Sequence, residues 1–368
     1  MTAVHNFSGG PGALPEVVIE EASQALRKAP GSELGLLGIS HRSDWFREVL
    51  DEAERNTRRL LGLSTDYAVL FLQGGGTLQF SMVPMLLLRG TTRSADYVHS
   101  GYWSAKSIPE ARLEGRVRVV WSGADSGFTR LPGDEELELS AEAAYFHYVS
   151  NETVEGLQFQ RVLGREDVLR VCDMSSDIMS RPVAIERFAI VYAHAQKNLG
   201  PSGVTLVILK KALLEAEHSP LPSMLDYRQH LEHGSIFNTP PVFAIYVTML
   251  VTRWLLEEIG GLARMDAINR EKAAALYQLI DQSDGFYRGH AEAGSRSLMN
   301  VVFALKTPEL ERAFLAEALR AGLHGLPGHR SLGGARASLY NAVSLESVHR
   351  LCELMHDFHK RDARAFSP

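Results

Sequence analysis

The chain has little cysteine, little surplus charge and no long apolar run, and each shortage closes off a class of function. Cys172 and Cys352 are the two cysteines in 368 residues, and they lack metal-type spacing. This predicts neither a disulfide framework nor a metal site, and it fits a reducing cytoplasm. No apolar run approaches the ~20 residues that span a bilayer, so no membrane segment is expected. The stretch Met1 to Asn6 lacks a basic region followed by an apolar core, which predicts no secretory signal. A net charge of −6 argues against nucleic acid as a partner. An anionic ligand must then be met by local cations, so the places of single arginines matter more than the total. No internal repeat, low-complexity tract or long charge run is present.

What is present describes a globular α/β protein. Hydrophobic residues at 45% and charged residues at 22% suit a soluble chain, and at ~150 residues per domain the length suggests two domains. Apolar runs alternate with helical patterns: strands are expected at Tyr67–Leu72, Val117–Trp121, Ala144–Val149, Val168–Cys172, Phe188–Tyr192 and Val204–Leu209. A helix is expected over Leu78–Leu88 and another over Pro241–Ile259. Such alternation predicts a mostly parallel sheet covered by helices. Gly260-Gly261 breaks the chain. Beyond it come a helix (Leu262–Ile280), a strand (Met299–Leu305), a helix (Pro308–Ala321), a short strand (Ser338–Asn341) and a last helix (Leu345–Phe358). The expected division is a large domain, 16–260, and a smaller α+β domain, 261–368, joined by residues 1–15.

One stretch carries more chemistry than the rest. Tyr192-Ala193-His194-Ala195-Gln196-Lys197-Asn198 puts a lysine in a polar turn just after a strand, at the sheet edge where open α/β folds keep ligands. A partly desolvated amine there suits Schiff-base formation with a carbonyl cofactor. The preceding strand ends at Asp173, and a carboxylate beside such a lysine is what pyridoxal phosphate needs to keep its ring nitrogen protonated. Taken singly, Lys197 also reads as solvated surface and Asp173 as a helix cap.

Weaker signals surround these two. Gly74-Gly75-Gly76 at a strand-to-helix junction exposes N–H groups suited to phosphate, or marks a tight turn. It lacks the Gly-x-Gly-x-x-Gly order and no Walker lysine follows, which disfavours nucleotide. Trp103 reads as a stacking platform or as core. Thr153 of Asn151-Glu152-Thr153 reads as a donor to a phenolic oxygen or as turn chemistry. Thr239 of Asn238-Thr239-Pro240-Pro241 reads as a ligand or as the cap of the following helix. His41-Arg42 and His329-Arg330, with Arg336 behind them, suggest a dianion receptor if they converge, and solvated loops if they do not.

Together these segments resemble the phosphoserine aminotransferase family, class-V enzymes of the fold-type I pyridoxal-phosphate architecture. The likeness lies in Phe7-Ser8-Gly9-Gly10-Pro11, His41-Arg42, Gln73 to Phe80, Asn151-Glu152-Thr153, Asp173-Met174-Ser175-Ser176, Ala195-Gln196-Lys197-Asn198, Asn238-Thr239-Pro240-Pro241 and the block from Gly328 to Asn341. The resemblance implies a homodimer with active sites at the interface. Lys197 and Asp173 would be catalytic, and Trp103 would stack on the cofactor ring. Thr153 would bond its phenolic oxygen, and Ser175, beside Asp173, would also bind the cofactor. Gln196, the backbone of Gly76 and Thr77, and the partner subunit's Asn238 and Thr239 would hold its phosphate. Arg336 would take the substrate α-carboxylate, and His41, Arg42, His329 and Arg330 its phosphate or distal carboxylate. The pattern departs at Thr77 and Leu78, where some members carry an arginine, and at His194, where a small residue is usual. The expected reaction moves an amino group between L-glutamate and 3-phosphohydroxypyruvate, giving O-phospho-L-serine and 2-oxoglutarate. 3-Hydroxy-2-oxo-4-phosphobutanoate, on the route to pyridoxine, is an expected second substrate. The rival is another class-V transaminase using glyoxylate or pyruvate, which would leave the two His-Arg pairs without a use.

Overall fold

The structure, a computed structural model, describes residues 4–216 and 219–362. Residues 1–3 and 363–368 of the expected small domain, and 217–218 of the large one, lie outside the described residues. In chain order, β1 (His5–Asn6) leads to helices α1 (Glu16–Arg27) and α2 (Asp44–Leu61). Strict alternation follows: β2 (Tyr67–Leu72), α3 (Gly75–Leu87), β3 (Ser94–His99), α4 (Tyr102–Glu114) and β4 (Arg116–Ser122). Next come β5 (Tyr145–Val149), the small hairpin β6 (Asn151–Glu152) and β7 (Leu157–Gln158), then β8 (Arg170–Asp173), β9 (Ile190–His194) and β10 (Thr205–Lys210). Short helices α5 (Ala212–Glu215) and α6 (Tyr227–Glu232) precede the long α7 (Val242–Glu257) and α8 (Leu262–Asp281). The last part holds β11 (Tyr287–Gly289), β12 (Asn300–Leu305), α9 (Pro308–Arg320), β13 (Leu323–His324), β14 (Ala335–Ser338) and α10 (Leu345–Asp362).

The central sheet has the order β2-β10-β9-β8-β5-β3-β4. Strands β9, β8, β5, β3 and β4 run parallel, and β10 is antiparallel to both its neighbours. All six residues of β2 are buried, as a strand covered on both faces requires. Alternation then sorts successive side chains to opposite layers. Val69, Phe71, Phe146 and Tyr148 join one core, which α2 and α7 cover. Ala68, Leu70, Tyr145 and Tyr192 join the other, under α3 and α4. In α2 the buried residues Phe46, Val49, Leu50, Ala53, Thr57 and Leu61 fall at helical spacing. Ser43 Oγ caps that helix by accepting from Phe46 N at 3.2 Å.

A second sheet, β11-β12-β14, is antiparallel and backs a separate apolar core with α9 and α10. Phe7 belongs to this core, and β1 pairs with β13, so the start of the chain packs against its last third. Helix α8 serves both cores: Leu262 and Met265 face the first, Ala273, Leu276 and Ile280 the second. Among the described residues no helix is long and apolar enough to cross a membrane.

Several boundaries differ from expectation, each for a local reason. Helix α3 opens on the glycines themselves rather than at Leu78, because Gly74 and Gly75 take positive φ values of 90° and 69° that turn the chain into it. Trp103 lies in the first turn of α4. The short strand expected at Ser338–Asn341 is β14, Ala335–Ser338. Its register against β12 runs from Asn300↔Ser338 to Phe303↔Ala335, which places Arg336 inside the strand. Helix α7 starts at Val242 after Pro241 with no side-chain cap, so Thr239 does not cap it. Helices α1 and α2 and strands β3 and β11 are among the elements that were not expected.

Candidate active site

The parallel pair β8–β9 sets the geometry. Asp173, the last residue of β8, lies opposite Tyr192 on β9. Strand β9 ends at His194, so the lysine three residues on comes out at the same edge. The turn that carries Lys197 closes on itself, with Leu199 N and Gly200 N both donating to Ala195 O at 2.9 Å. Gly12 N donates to Gln196 O at 2.7 Å and ties the N-terminal segment to it.

Next to this edge stands the first turn of α3, whose early N–H groups precede the helical ladder and are left for a ligand. A Cβ at Gly76 would stand 3.3 Å from Ser175 Oγ and 3.6 Å from Asp173 Oδ2, so backbone and carboxyl approach closely there. Ser175 N donates to Asp173 Oδ1 at 2.8 Å, and Ser175 Oγ accepts from His194 N at 3.1 Å. Trp103 Nε1 donates to Thr153 Oγ1 at 2.9 Å, and Lys197 Nζ lies 5.2 Å from the centre of the indole. Gly76, Thr77, Trp103, Asp173, Ser175, Gln196 and Lys197 thus line one cavity of about 210 Å³.

Burial dominates the electrostatics. It pulls the Lys197 ammonium below its ordinary pKa, with Asp173 opposing and Arg336 assisting. It pushes the Asp173 carboxyl up, against Ser175 and Lys197. His194 is lowered by burial and by Lys197. A lysine eased toward its free amine is a nucleophile, and a buried carboxylate beside it favours a cationic ring nitrogen. Buried lysine, buried carboxylate, indole face and glycine-opened helix are the donor set that pyridoxal phosphate requires, so the residues fit that group.

The remaining residues divide into near and far. Arg336 donates from Nη1 to Thr153 O at 3.1 Å, and a Cβ at Gly9 would overlap its guanidinium. His329 is half-buried, with its ring 4.8 Å from that of Tyr102; burial, Arg336 and Arg330 lower its pKa. Arg330 is exposed. His41 and Arg42 sit on the turn before α2 and do not line the cavity of their own chain. Nor do Asn238 and Thr239: Asn238 Nδ2 donates to Gln73 Oε1 at 3.2 Å, and Gln73 Nε2 donates to Thr239 O at 2.6 Å. The cavity also holds residues that the sequence reading left out, Phe80, Val149, Asn151 and Ser176. Asn151 Nδ2 donates to Ser176 Oγ at 2.7 Å and to Asn300 Oδ1 at 2.9 Å. Both polar members adjoin residues that were singled out, whereas Phe80 and Val149 look like any core residue.

The chain matches the Aminotransferase class-V family over residues 4–351. It is 46% identical over 361 residues to a phosphoserine aminotransferase of Rhodopirellula baltica, covering 98% of this chain and 96% of that one. The solved phosphoserine aminotransferase of Bacillus circulans subsp. alkalophilus is 44% identical and superposes with a TM-score of 0.94, covering 97% and 99% of the two chains. The PLP-bound phosphoserine aminotransferase of Trichomonas vaginalis is 35% identical with a TM-score of 0.90, covering 96% and 100%. With motifs, cavity and whole-length likeness in agreement, the chain belongs to the class-V aminotransferases and, within them, to the phosphoserine aminotransferase family.

Proposed function

We propose that this protein is a pyridoxal-phosphate-dependent transaminase that moves an amino group between L-glutamate and 3-phosphohydroxypyruvate, giving O-phospho-L-serine and 2-oxoglutarate. The observation that carries the reading is the meeting of buried Lys197 and buried Asp173 in one cavity under Trp103. When bound, the cofactor supplies an electron sink for the substrate's α-carbon. The chain's own residues do the rest. Lys197 Nζ would hold the cofactor at its aldehyde, and as a free amine it would take and return the substrate's α-proton during turnover. The Asp173 carboxylate keeps the ring nitrogen protonated. Trp103 stacks on the ring, Thr153 bonds the phenolic oxygen, and Ser175 steadies Asp173. Gln196 and the backbone of Gly76 and Thr77 receive the phosphate.

Arg336 binds the α-carboxylate shared by all substrates, and His329 with Arg330 takes the distal phosphate or carboxylate. His41, Arg42, Asn238 and Thr239 act across a homodimer interface. That reading is supported by their lying outside the cavity of their own chain while the family motifs name them as ligands. The proposed division is a large domain, 16–260, and a small domain, 261–368 with 1–15, supported by the two separate apolar cores. A cytoplasmic site and a second, four-carbon phosphorylated substrate belong to the same proposal. The rival, a transaminase for glyoxylate or pyruvate, gains no support from the whole-length relatives. A panel of 2-oxo acids with glutamate as donor tests the reading. Preference for phosphohydroxypyruvate over hydroxypyruvate, glyoxylate and pyruvate is expected, and a preference for the unphosphorylated acids would overturn it.

A further inference from the structure

We infer that Glu152 and Glu155 are positioning residues, and that the turn between them sets Trp103, Thr153 and Arg336 as one rigid piece. This deepens the reading above and rests on it. Glu152 ends β6 and is 1% exposed. Its carboxylate accepts from Trp103 N at 2.9 Å, Ser104 N at 2.9 Å and Ser100 Oγ at 3.2 Å. Glu155 Oε1 accepts from Tyr102 N at 2.9 Å. Two carboxyl groups therefore cap the N-terminus of α4, where one side chain is usual.

They meet over Gly101. Its φ of 169° is extended backbone open to any residue, so conformation does not call for glycine. Space does: a Cβ there would stand 2.7 Å from Glu155 Cδ and 2.9 Å from Glu152 Cδ. Between the two acids lies Thr153, whose hydroxyl accepts from the Trp103 indole and whose carbonyl accepts from Arg336. Glu152, Thr153 and Glu155 thus hold the ring that covers the cofactor and the arginine that meets the substrate.

Two carboxyl groups this close share a charge unequally. Glu152 has three donors; Glu155 has one, and its Oε2 is buried without a hydrogen-bond partner among the described residues. Burial pushes the Glu152 carboxyl up as well, but the Ser104 and Trp103 donors pull it back, so the negative charge favours Glu152 and the proton Glu155. Burial first, then Glu152, pushes the Glu155 carboxyl up to about 8, while the Tyr102 N–H and Arg336 pull the other way. The groups that bear on the pair are Glu152 from β6, Arg336 from β14, the N-terminus of α4, and Asp173 from β8, which acts on Glu152.

The test compares Glu152→Gln with Glu155→Gln in the full-length apoprotein titrated with pyridoxal phosphate, read by fluorescence quenching. An amide at 152 keeps one acceptor oxygen for donors that now use two. Trp103 should loosen, and the dissociation constant should rise roughly tenfold or more. An amide at 155 mimics the protonated acid, so affinity should stay within about twofold, a difference below ~0.5 kcal/mol. The wild type should show an inflection near pH 8 in the KM for glutamate, and Glu155→Gln should lose it. Gly101→Ala leaves every polar group in place, and by crowding both acids it should raise the cofactor dissociation constant and the glutamate KM together. It serves if Glu152→Gln fails to fold. Wild-type affinity in Glu152→Gln and Gly101→Ala, or equal weakening in both glutamine variants, would overturn the inference. Failure of the wild type itself to bind the cofactor would instead overturn the reading beneath it.

Discussion

Lys197 and Trp103 face each other, with the lysine Nζ 5.2 Å from the centre of the indole. They arrive from different places: Lys197 from the turn after β9, Trp103 from the first turn of α4. Lys197 is 8% exposed, and its turn is closed by two backbone hydrogen bonds to Ala195 O. A buried amine beneath an aromatic face and beside a buried carboxylate has few uses other than chemistry on a planar carbonyl compound.

Asp173→Asn should keep the cofactor but slow turnover by roughly a hundredfold or more, as loss of one preorganised electrostatic contact does. The neutral amide cannot hold the ring proton. Single-turnover mixing with glutamate measures this, and an unchanged rate would remove Asp173 from its role.

Arg42→Ala and Arg330→Ala should weaken phosphohydroxypyruvate far more than hydroxypyruvate. One charge-assisted contact is worth ~1.5–3 kcal/mol, or roughly tenfold to a hundredfold. Arg336→Ala should weaken both alike, since both carry the α-carboxylate. Comparison of kcat/KM for the two acids checks the split. Equal losses in Arg42→Ala and Arg330→Ala would point to the unphosphorylated rival.

His147 gives a pH prediction. It is buried on β5, its Nε2 lies 2.8 Å from Tyr192 OH, and its Nδ1 has no partner among the described residues. Burial lowers it from 6.5 to about 3. Its neutral form is thus favoured by folding, so the contribution is whole above pH 6.5 and drains away as pH falls toward 3. Urea unfolding of wild type against His147→Gln over that window should show a steeper acid loss in wild type; parallel curves would refute it.

Lys272 offers a stability test away from the site. Its Nζ donates to Leu339 O, Tyr340 O and Val343 O at 2.9, 2.9 and 3.0 Å, saturating the ammonium inside the second core. Lys272→Met strands the Leu339 and Val343 carbonyls, while Tyr340 O keeps its bond from Val343 N, and should cost about 2–4 kcal/mol in denaturant unfolding. A loss under ~1 kcal/mol would show that the segment relaxes without it.

Strands buried on both faces were readable as continuous apolar runs, as in Tyr67–Leu72, whereas β3 was not, because Ser94, Asp96 and His99 interrupt its apolar residues. Helix α2 was harder: its apolar positions are scattered among charges, and only their 3.6-residue spacing marks it. Asp173 stood out because it ends a strand, and Lys197 because it follows one in a polar turn. Trp103 could be named, but its contact with Thr153 joins residues 50 apart in sequence. Glu152 and Glu155 as helix caps were hidden for the same reason, since the helix they cap begins some fifty residues upstream. Gly101 betrays them only once its neighbours are known.

The most direct test of the central claim is to incubate the protein with pyridoxal phosphate, reduce it with borohydride and map the covalent adduct by peptide mass spectrometry. Modification should fall on the peptide carrying Lys197 and vanish in Lys197→Ala together with transamination. An adduct that persists at the same level in Lys197→Ala, or one on Lys210 or Lys272 with Lys197 unmodified, would contradict the account.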